Sequence, residues 1–268
     1  MVKKKIKHKS AVHGAFFVQG VIMNNYKVTV EYDGSRYNGW QRQHTTQNTI
    51  QGKFEQILEK LCGHKVEIHA SGRTDAGVHA KGQVFNFKTH TLPDTEAVKE
   101  YCNRYLPQDI RVLFCERADE RFHSRLLAVR KTYSYTLSCG KPSVFRRKYV
   151  YFAEQKPDLQ KMRACAELFL GTHDFLAFSS LKKSKKSTVR TVEKIEITEQ
   201  NDEICMRFTG NGFLYHMVRI LAGTLYDAGL GKIDAETILQ AFKSGVRQDA
   251  GTMLPPEGLM LEKVEYDK

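Results

Sequence analysis

The order of secondary-structure elements predicted from the sequence indicates an α+β fold with antiparallel sheets. Residues 23–125 and residues 126–268 each read approximately as strand, helix, strand, strand, helix, strand. This order differs from the strand–helix alternation of a doubly wound parallel sheet. Hydrophobic residues make up 41% of the chain, which excludes a largely disordered protein. We therefore predict two α+β halves, preceded over residues 1–22 by a basic, disordered leader.

Apolar periodicity places the elements of the first half. Residues 27–32 alternate in polarity as a half-buried strand does. Asn48 and Gln51 resemble a capping box, and the apolar residues after them predict a helix that ends at Gly63. The other predicted elements are strands at residues 65–69, 83–87 and 111–115 and a helix from Asp94 or Thr95 to Pro107. That helix is expected to bury Val98, Tyr101, Cys102 and Tyr105.

The second half repeats this pattern. A strand over residues 131–137 places Tyr133 and Tyr135 on one face. The other predicted elements are a helix capped at Asp158 and running to about Leu170, strands at residues 191–198 and 204–208, a long helix over residues 213–228, a helix beginning at Asp234, and a strand over residues 259–264.

The charge balance favours a polyanionic partner. Lysine and arginine outnumber aspartate and glutamate by 42 to 30, which gives a net charge of +12 and favours nucleic acid as the partner. Charge runs are usually solvated faces, but the run between the predicted elements is a candidate for phosphate contacts. Its lysines are Lys182, Lys183, Lys185 and Lys186.

Cysteine spacing and hydropathy bear on the compartment. The six cysteines lie far apart and have no zinc-binding spacing, so we expect reduced thiols in a cytoplasmic protein. No apolar run in the sequence reaches the ~20 residues of a membrane span, so no membrane partner is expected.

The sequence lacks the usual cofactor-binding motifs. It has no phosphate-binding Gly-x-x-x-x-Gly-Lys-Ser/Thr loop, no Gly-x-Gly-x-x-Gly after a strand, and no zinc deaminase signature. A basic chain of this kind either only binds its partner or performs chemistry on it without a cofactor.

One stretch combines an acid, a base and two glycines. Gly72-Arg73-Thr74-Asp75-Ala76-Gly77-Val78-His79-Ala80 lies between two predicted strands, so Asp75 is presented on a tight turn. In an arbitrary chain, such a stretch is most often an ordinary polar loop.

The stretch resembles the signature of the TruA-type pseudouridine synthases, which isomerise uridine in tRNA. The resemblance extends from about residue 25 to the end of the chain, with the blocks in the family's order. The further blocks are Tyr32-Asp33-Gly34 with Gly39-Trp40-Gln41, Arg130-Lys131-Thr132-Tyr133-Ser134-Tyr135, His173-Asp174-Phe175 with Phe178, Gly212-Phe213-Leu214-Tyr215-His216-Met217-Val218-Arg219, and Pro256-Glu257-Gly258-Leu259.

The resemblance implies a fold and an activity. The fold would be that of pseudouridine synthases, with two ferredoxin-like halves joined around a basic cleft. The activity would be formation of pseudouridine at positions 38, 39 and/or 40 of the tRNA anticodon stem–loop, by a homodimer. Neither a metal nor a cofactor is expected, because the reaction oxidises nothing and transfers no group.

The resemblance also assigns roles to individual residues. Asp75 would act at the sugar, Arg219 would favour the ionised form of that carboxylate, and Tyr133 would stack on the detached uracil and relay the C5 proton. Arg73 would enter the space left by the flipped base, or alternatively would only brace the loop. The carboxylate could attack C1′, stabilise an oxocarbenium ion or remove the 2′ proton.

Other interpretations remain open for the chain and for single residues. The chain could be a catalytically silent RNA-binding protein on the same scaffold, or a pseudouridine synthase for another RNA. Trp40 and Tyr135 are expected to be core residues, and Thr74 and His79 to hold the shape of the turn. His173 and His216 are interpreted as core or hydrogen-bonding histidines. 

Overall fold

One sheet runs through the whole fold. The computed structural model describes residues 23–91, 93–181 and 187–267. Within these ranges ten strands form one mostly antiparallel sheet, accompanied by five α-helices, which confirms the predicted α+β class. The strands are β1 (Asn24–Tyr32), β2 (Ile68–Ala70), β3 (His79–Thr89), β4 (Ile110–Ala118), β5 (Ala128–Ser138), β6 (Tyr151–Phe152), β7 (Gly171–Asp174), β8 (Val189–Gln200), β9 (Glu203–Gly210) and β10 (Leu259–Tyr266).

The middle of the sheet joins strands that are far apart in sequence. The order is β4-β1-β3-β10-β5-β9-β8-β7, with β2 added to β3 and β6 added to β5. β10 pairs in parallel with β3 and antiparallel with β5, so Leu261 lies opposite both Ala80 and Tyr133. Tyr32 of β1 and Phe208 of β9 continue this line. All five side chains are buried, and we call Tyr32, Ala80, Leu261, Tyr133 and Phe208 the central row.

Most helix boundaries follow the predicted capping signals. The helices are α1 (Ile50–Cys62), α2 (Thr95–Tyr105), α3 (Leu159–Ala166), α4 (Met217–Gly229) and α5 (Ala235–Ser244). The side chains of Asp94, Asp158 and Asp234 each accept hydrogen bonds from N–H groups in the first turn of α2, α3 and α5. Gly63 ends α1 in the left-handed conformation, at φ 73°.

Two helices begin elsewhere than the sequence predicts. The N-cap of α1 is Thr49, whose hydroxyl accepts from the N–H of Gly52, whereas the Asn48 amide donates to the Arg36 carbonyl. α4 begins at Met217 and not at residue 213, because His216 has left-handed backbone angles that interrupt the helix.

Burial agrees with the sequence at the aromatic anchors and disagrees at one helix end. Trp40 and Tyr135 are fully buried, and the Trp40 ring packs beside Phe54 and Phe85. Tyr105 was expected in the core but is 57% exposed. It occupies the last turn of α2, where its ring packs on Tyr101 at 4.7 Å and not on the sheet.

Two sequence predictions remain, those of a leader and of no membrane span. The leader, residues 1–22, lies outside the described residues. Over the ranges given above, every helix is too short or too polar to cross a bilayer.

Candidate active site

The turn before β3 is held by backbone contacts with the segment after β1. The Trp40 N–H donates to the Thr74 carbonyl at 3.0 Å. Gly39 makes this approach possible: its φ is 85°, and a Cβ there would lie 2.7 Å from the Thr74 oxygen. Gly34 packs even closer, since its Cβ would lie 1.9 Å from the Val78 oxygen. Backbone contacts with residues 34–40 therefore fix the position of the turn that carries Asp75.

Two side chains of the turn also hold its shape, as the sequence predicts. The Thr74 hydroxyl is hydrogen-bonded to the Tyr32 hydroxyl at 2.8 Å. His79 accepts from the Gly34 N–H at Nδ1 and contacts the Lys148 carbonyl through Nε2. Burial lowers the pKa of His79, which favours a neutral ring with its proton on Nε2.

Asp75 meets the N-terminal end of α4. Its side chain is 23% exposed, and its Oδ2 lies 3.4 Å from Nη1 of Arg219. Arg219 is itself buried and donates from Nε to the Leu254 carbonyl at 2.7 Å, which fixes the guanidinium. The structure thus brings together two residues that are 144 positions apart, as the sequence-based assignment requires.

His216 lies at the candidate site, where the sequence predicted only a core or hydrogen-bonding histidine. Its Nε2 lies 3.5 Å from Oδ2 of Asp75, and its Nδ1 lies 2.8 Å from the Ser180 hydroxyl. Burial lowers its pKa, Arg219 and Arg247 lower it further, and the Asp75 charge opposes them. The sequence does contain one indication of this contact, because His216 lies three residues before Arg219 at the start of the same helix.

Tyr133 is buried beside the acid. Its ring meets Phe213 edge to face at a centroid distance of 5.4 Å. Burial raises the pKa of its phenol, and the nearby Tyr32 and Asp75 add to the effect, so the hydroxyl stays protonated at neutral pH.

Arg73 and Lys131 bring positive charge to the turn. Arg73 is exposed, and within the described ranges its side chain forms neither a hydrogen bond nor an ion pair. Lys131 donates to the Ser71 carbonyl at 2.6 Å, directly before the turn. Burial lowers the pKa of Lys131 to about 8, and the charges of Arg125 and Arg190 contribute.

The predicted lysine run cannot be placed relative to this site. Lys182, Lys183, Lys185 and Lys186 lie outside the described residues. Their flanks are described: Ser180 contacts His216, and Arg190 on β8 lies near Gly212.

Comparisons with known proteins match most of the chain. A family model described as tRNA pseudouridine synthase matches residues 28–125 and 165–267. The tRNA pseudouridine synthase A of Bacillus sp. (strain KSM-64) is 46% identical over 245 residues, covering 91% of this chain and 100% of the relative. The protein of the same name from Clostridium kluyveri is 42% identical with the same coverage.

Solved structures add little to these matches. A Cbf5–Nop10–Gar1 complex aligns over 88% of this chain and 48% of the solved chain, with 13% identity and a TM-score of 0.36, which is too low to support an argument. The sequence matches are decisive, because the family model spans more than half of the chain and the two relatives match 91% of it at 42% and 46% identity. The chain therefore belongs to the tRNA pseudouridine synthase family, whose enzymes are isomerases that convert uridine in tRNA to pseudouridine.

Proposed function

We propose that this isomerase acts at positions 38, 39 and/or 40 of the tRNA anticodon stem–loop, with Asp75 as its catalytic carboxylate. The target positions rest on the resemblance to the TruA-type enzymes, and the observation that carries the catalytic role is the contact of Asp75 with Arg219 near the buried Tyr133. A carboxylate held by a guanidinium and still partly open to solvent can reach a ribose that enters from outside.

The reaction requires one carboxylate and no second substrate. The N1–C1′ bond breaks, the uracil turns over, a C5–C1′ bond forms, and one proton leaves C5 while another is gained at N1. Asp75 would attack C1′, stabilise the oxocarbenium ion or remove the 2′ proton. A pair of carboxylates, as glycosidases use to deliver water, is not needed.

Tyr133 would stack on the detached uracil. Because burial keeps its phenol protonated, Tyr133 suits stacking and hydroxyl-mediated relay of the C5 proton better than action as a free phenolate base. Its neighbour Phe213 fixes the ring from the side.

Arg73 would occupy the space that the flipped uridine leaves in the stem. A base inside a duplex cannot reach a catalytic group unless it is extruded. Arg73 is exposed two residues from Asp75, and the absence of a partner for it among the described residues favours this role over bracing the loop.

The RNA backbone would follow the cations around the turn. Lys131, Arg125 and Arg190 form a positive cluster beside Ser71 and Gly72. We extend this surface to Lys182, Lys183, Lys185 and Lys186, whose charges suit phosphate contacts. Such contacts position an RNA by its shape and backbone and do not read its bases.

We also propose that the enzyme works as a homodimer in the cytoplasm. The homodimer, in which both subunits contact one tRNA, follows from the resemblance to the TruA-type enzymes. All six cysteines are free thiols, which fits a reducing compartment.

Mapping pseudouridine in tRNA tests the proposal. Unmodified tRNA is incubated with the wild type, with Asp75→Asn, and with Asp202→Asn, an exposed hairpin residue that serves as the control. We expect modification at positions 38 to 40 with the wild type and the control, none with Asp75→Asn, and similar tRNA binding by all three. Turnover by Asp75→Asn would remove Asp75 from the catalytic role. Modification at other positions would overturn only the assigned target.

A further inference from the structure

We propose that His216 is a positioning residue, which holds the Asp75 carboxylate so that Oδ1 is free to meet the ribose. This inference rests on the proposed role of Asp75. It adds a residue that the sequence reasoning interpreted as a core or hydrogen-bonding histidine.

Both side-chain contacts of the Asp75 carboxylate are made to the same oxygen atom. Nη1 of Arg219 and Nε2 of His216 both approach Oδ2, at 3.4 and 3.5 Å. Among the described residues no side chain hydrogen-bonds to Oδ1. Arg219 hydrogen-bonds to Oδ2 and Nε2 of His216 lies against the same oxygen, so the two groups limit the rotation of the carboxylate and leave the other oxygen for the substrate. Both distances are longer than a charge-assisted bond of about 2.8 Å, as is common before substrate binds.

A hydrogen bond from Ser180 favours the tautomer of His216 that this role requires. A protonated Nε2 attracts the carboxylate and an unprotonated Nε2 does not, so the positioning role requires the proton on Nε2. The Ser180 hydroxyl, 2.8 Å from Nδ1, can donate to that nitrogen and so hold the proton on Nε2. Ser180 is held in turn because its N–H donates to the Tyr215 carbonyl at 3.1 Å.

Burial, helped by two arginines, favours a neutral ring, so the choice of tautomer matters. The groups that face His216 are Asp75, Arg219 and Arg247, and the Tyr215 ring stacks on it at 3.7 Å. Burial and the two arginines outweigh Asp75 and lower the pKa of His216. A neutral imidazole has a single N–H, which Ser180 can direct at Asp75.

The backbone at His216 indicates that the side chain is placed for a purpose other than capping. Its φ is 63°, and the other non-glycine residues with positive φ in the described ranges, Asn201 and Asp202, form the β8–β9 hairpin turn. An N-cap residue normally has extended angles and a side chain that accepts from the helix. The backbone of His216 is left-handed and not extended, and its side chain makes no capping bond to α4. A strained residue at a candidate site points to a functional constraint.

Three substitutions separate positioning from folding. Gln can place its amide nitrogen near the position of Nε2, Asn can reach only the position of Nδ1, and Gly removes the side chain while suiting the positive φ. In single-turnover assays with saturating enzyme, we expect His216→Gln to keep most of the rate. His216→Asn and His216→Gly should lose between about tenfold and 100-fold, as for a catalytic group slightly misplaced. The Kd for tRNA should stay within about twofold, because the lost contact acts on chemistry and not on binding.

Controls make the outcome specific. Asp202→Gly also replaces a positive-φ residue, and it should keep the wild-type rate. Full activity of His216→Gly, or a loss confined to tRNA Kd, would overturn the positioning role. Asp75→Asn is assayed alongside: if it remains active, the proposed function fails, whereas an inactive Asp75→Asn with a fully active His216→Gly rejects only this inference.

The tautomer gives an independent readout. In protein labelled with ¹⁵N-histidine, the signals that disappear in His216→Asn belong to His216. We expect them to report a proton on Nε2 in the wild type and a mixture of tautomers in Ser180→Ala. A wild-type ring protonated on Nδ1 alone would overturn the proposal.

Discussion

At the scale of single residues, the sequence predicted some members of the candidate site and not others. The sequence resemblance named Asp75, Arg219 and Tyr133, and these three residues lie together. It did not reveal His216 or Lys131, although both are in quoted blocks. The reason is physical: a sequence motif indicates which residues share an element, but contacts such as Nε2 to Oδ2 depend on backbone angles like the left-handed φ of His216.

Lys131 predicts a pH dependence of RNA binding. Its pKa is lowered to about 8 from an ordinary value of 10.5, first by burial and then by Arg125 and Arg190. Lys131 is therefore mostly charged at pH 7 and mostly neutral at pH 9, so a phosphate contact weakens as pH rises through 8. We expect the tRNA Kd of the wild type to increase between pH 7 and pH 9, measured by filter binding or fluorescence anisotropy at constant salt.

Substitutions isolate this effect. Lys131→Met should weaken binding at pH 7 and flatten the pH dependence, because the titrating group is gone. Lys243→Met changes an exposed lysine on α5 and should leave the dependence as it is. Equal wild-type affinities at pH 7 and pH 9 would contradict a phosphate contact by Lys131.

At the scale of elements, the turn that carries Asp75 depends on glycines in the segment that follows β1. The sequence identified the glycines of the turn itself, Gly72 and Gly77, as its shaping residues. Gly39 lies in a different block, and its importance follows from a contact across 35 residues of chain, which local patterns do not reveal. Helix starts were predictable where an aspartate caps the first turn, because capping is local.

A matched pair of glycine substitutions tests the role of this support. Gly39 and Gly63 have similar positive φ angles, so alanine at either should cost about 1–2 kcal/mol of stability. At Gly39 the new Cβ would also lie 2.7 Å from the Thr74 carbonyl, whereas at Gly63 nothing lies within 4 Å. We expect both variants to show a lower Tm, and Gly39→Ala alone to lose at least about tenfold in single-turnover rate. Similar rates for the two variants would show that the turn tolerates displacement.

At the scale of the whole molecule, the α+β class was predictable but the pairing of distant strands was not. Alternating polarity identifies a strand and its buried face. It does not identify the neighbouring strand, and β10 follows β3 by about 170 residues while pairing with it in parallel. The short strands β6 and β7 were also missed, because two to four residues carry too little periodicity.

The net charge of +12 predicts a strong effect of salt on tRNA binding. If each lysine of the run at 182–186 contacts a phosphate, changing all four to Ala should lower the slope of log Kd against log salt by about 3. The comparison is a quadruple Ala variant with the same loss of charge at exposed sites elsewhere, namely Lys60, Lys65, Lys232 and Lys243. An unchanged slope in the first variant would show that these lysines do not contact phosphates.

The central row has a consequence for the time at which activity can first appear during synthesis. Leu261 separates Ala80 from Tyr133, and neighbouring strands lie about 4.8 Å apart, so β3 and β5 are held two strand spacings apart by β10. Asp75, Tyr133 and Arg219 are all translated before β10. Until the ribosome has delivered residues 259–266, a gap separates the strand that follows Asp75 from the strand that carries Tyr133. A nascent chain can thus contain every group to which we assign a catalytic role and still be unable to modify the tRNAs that surround it.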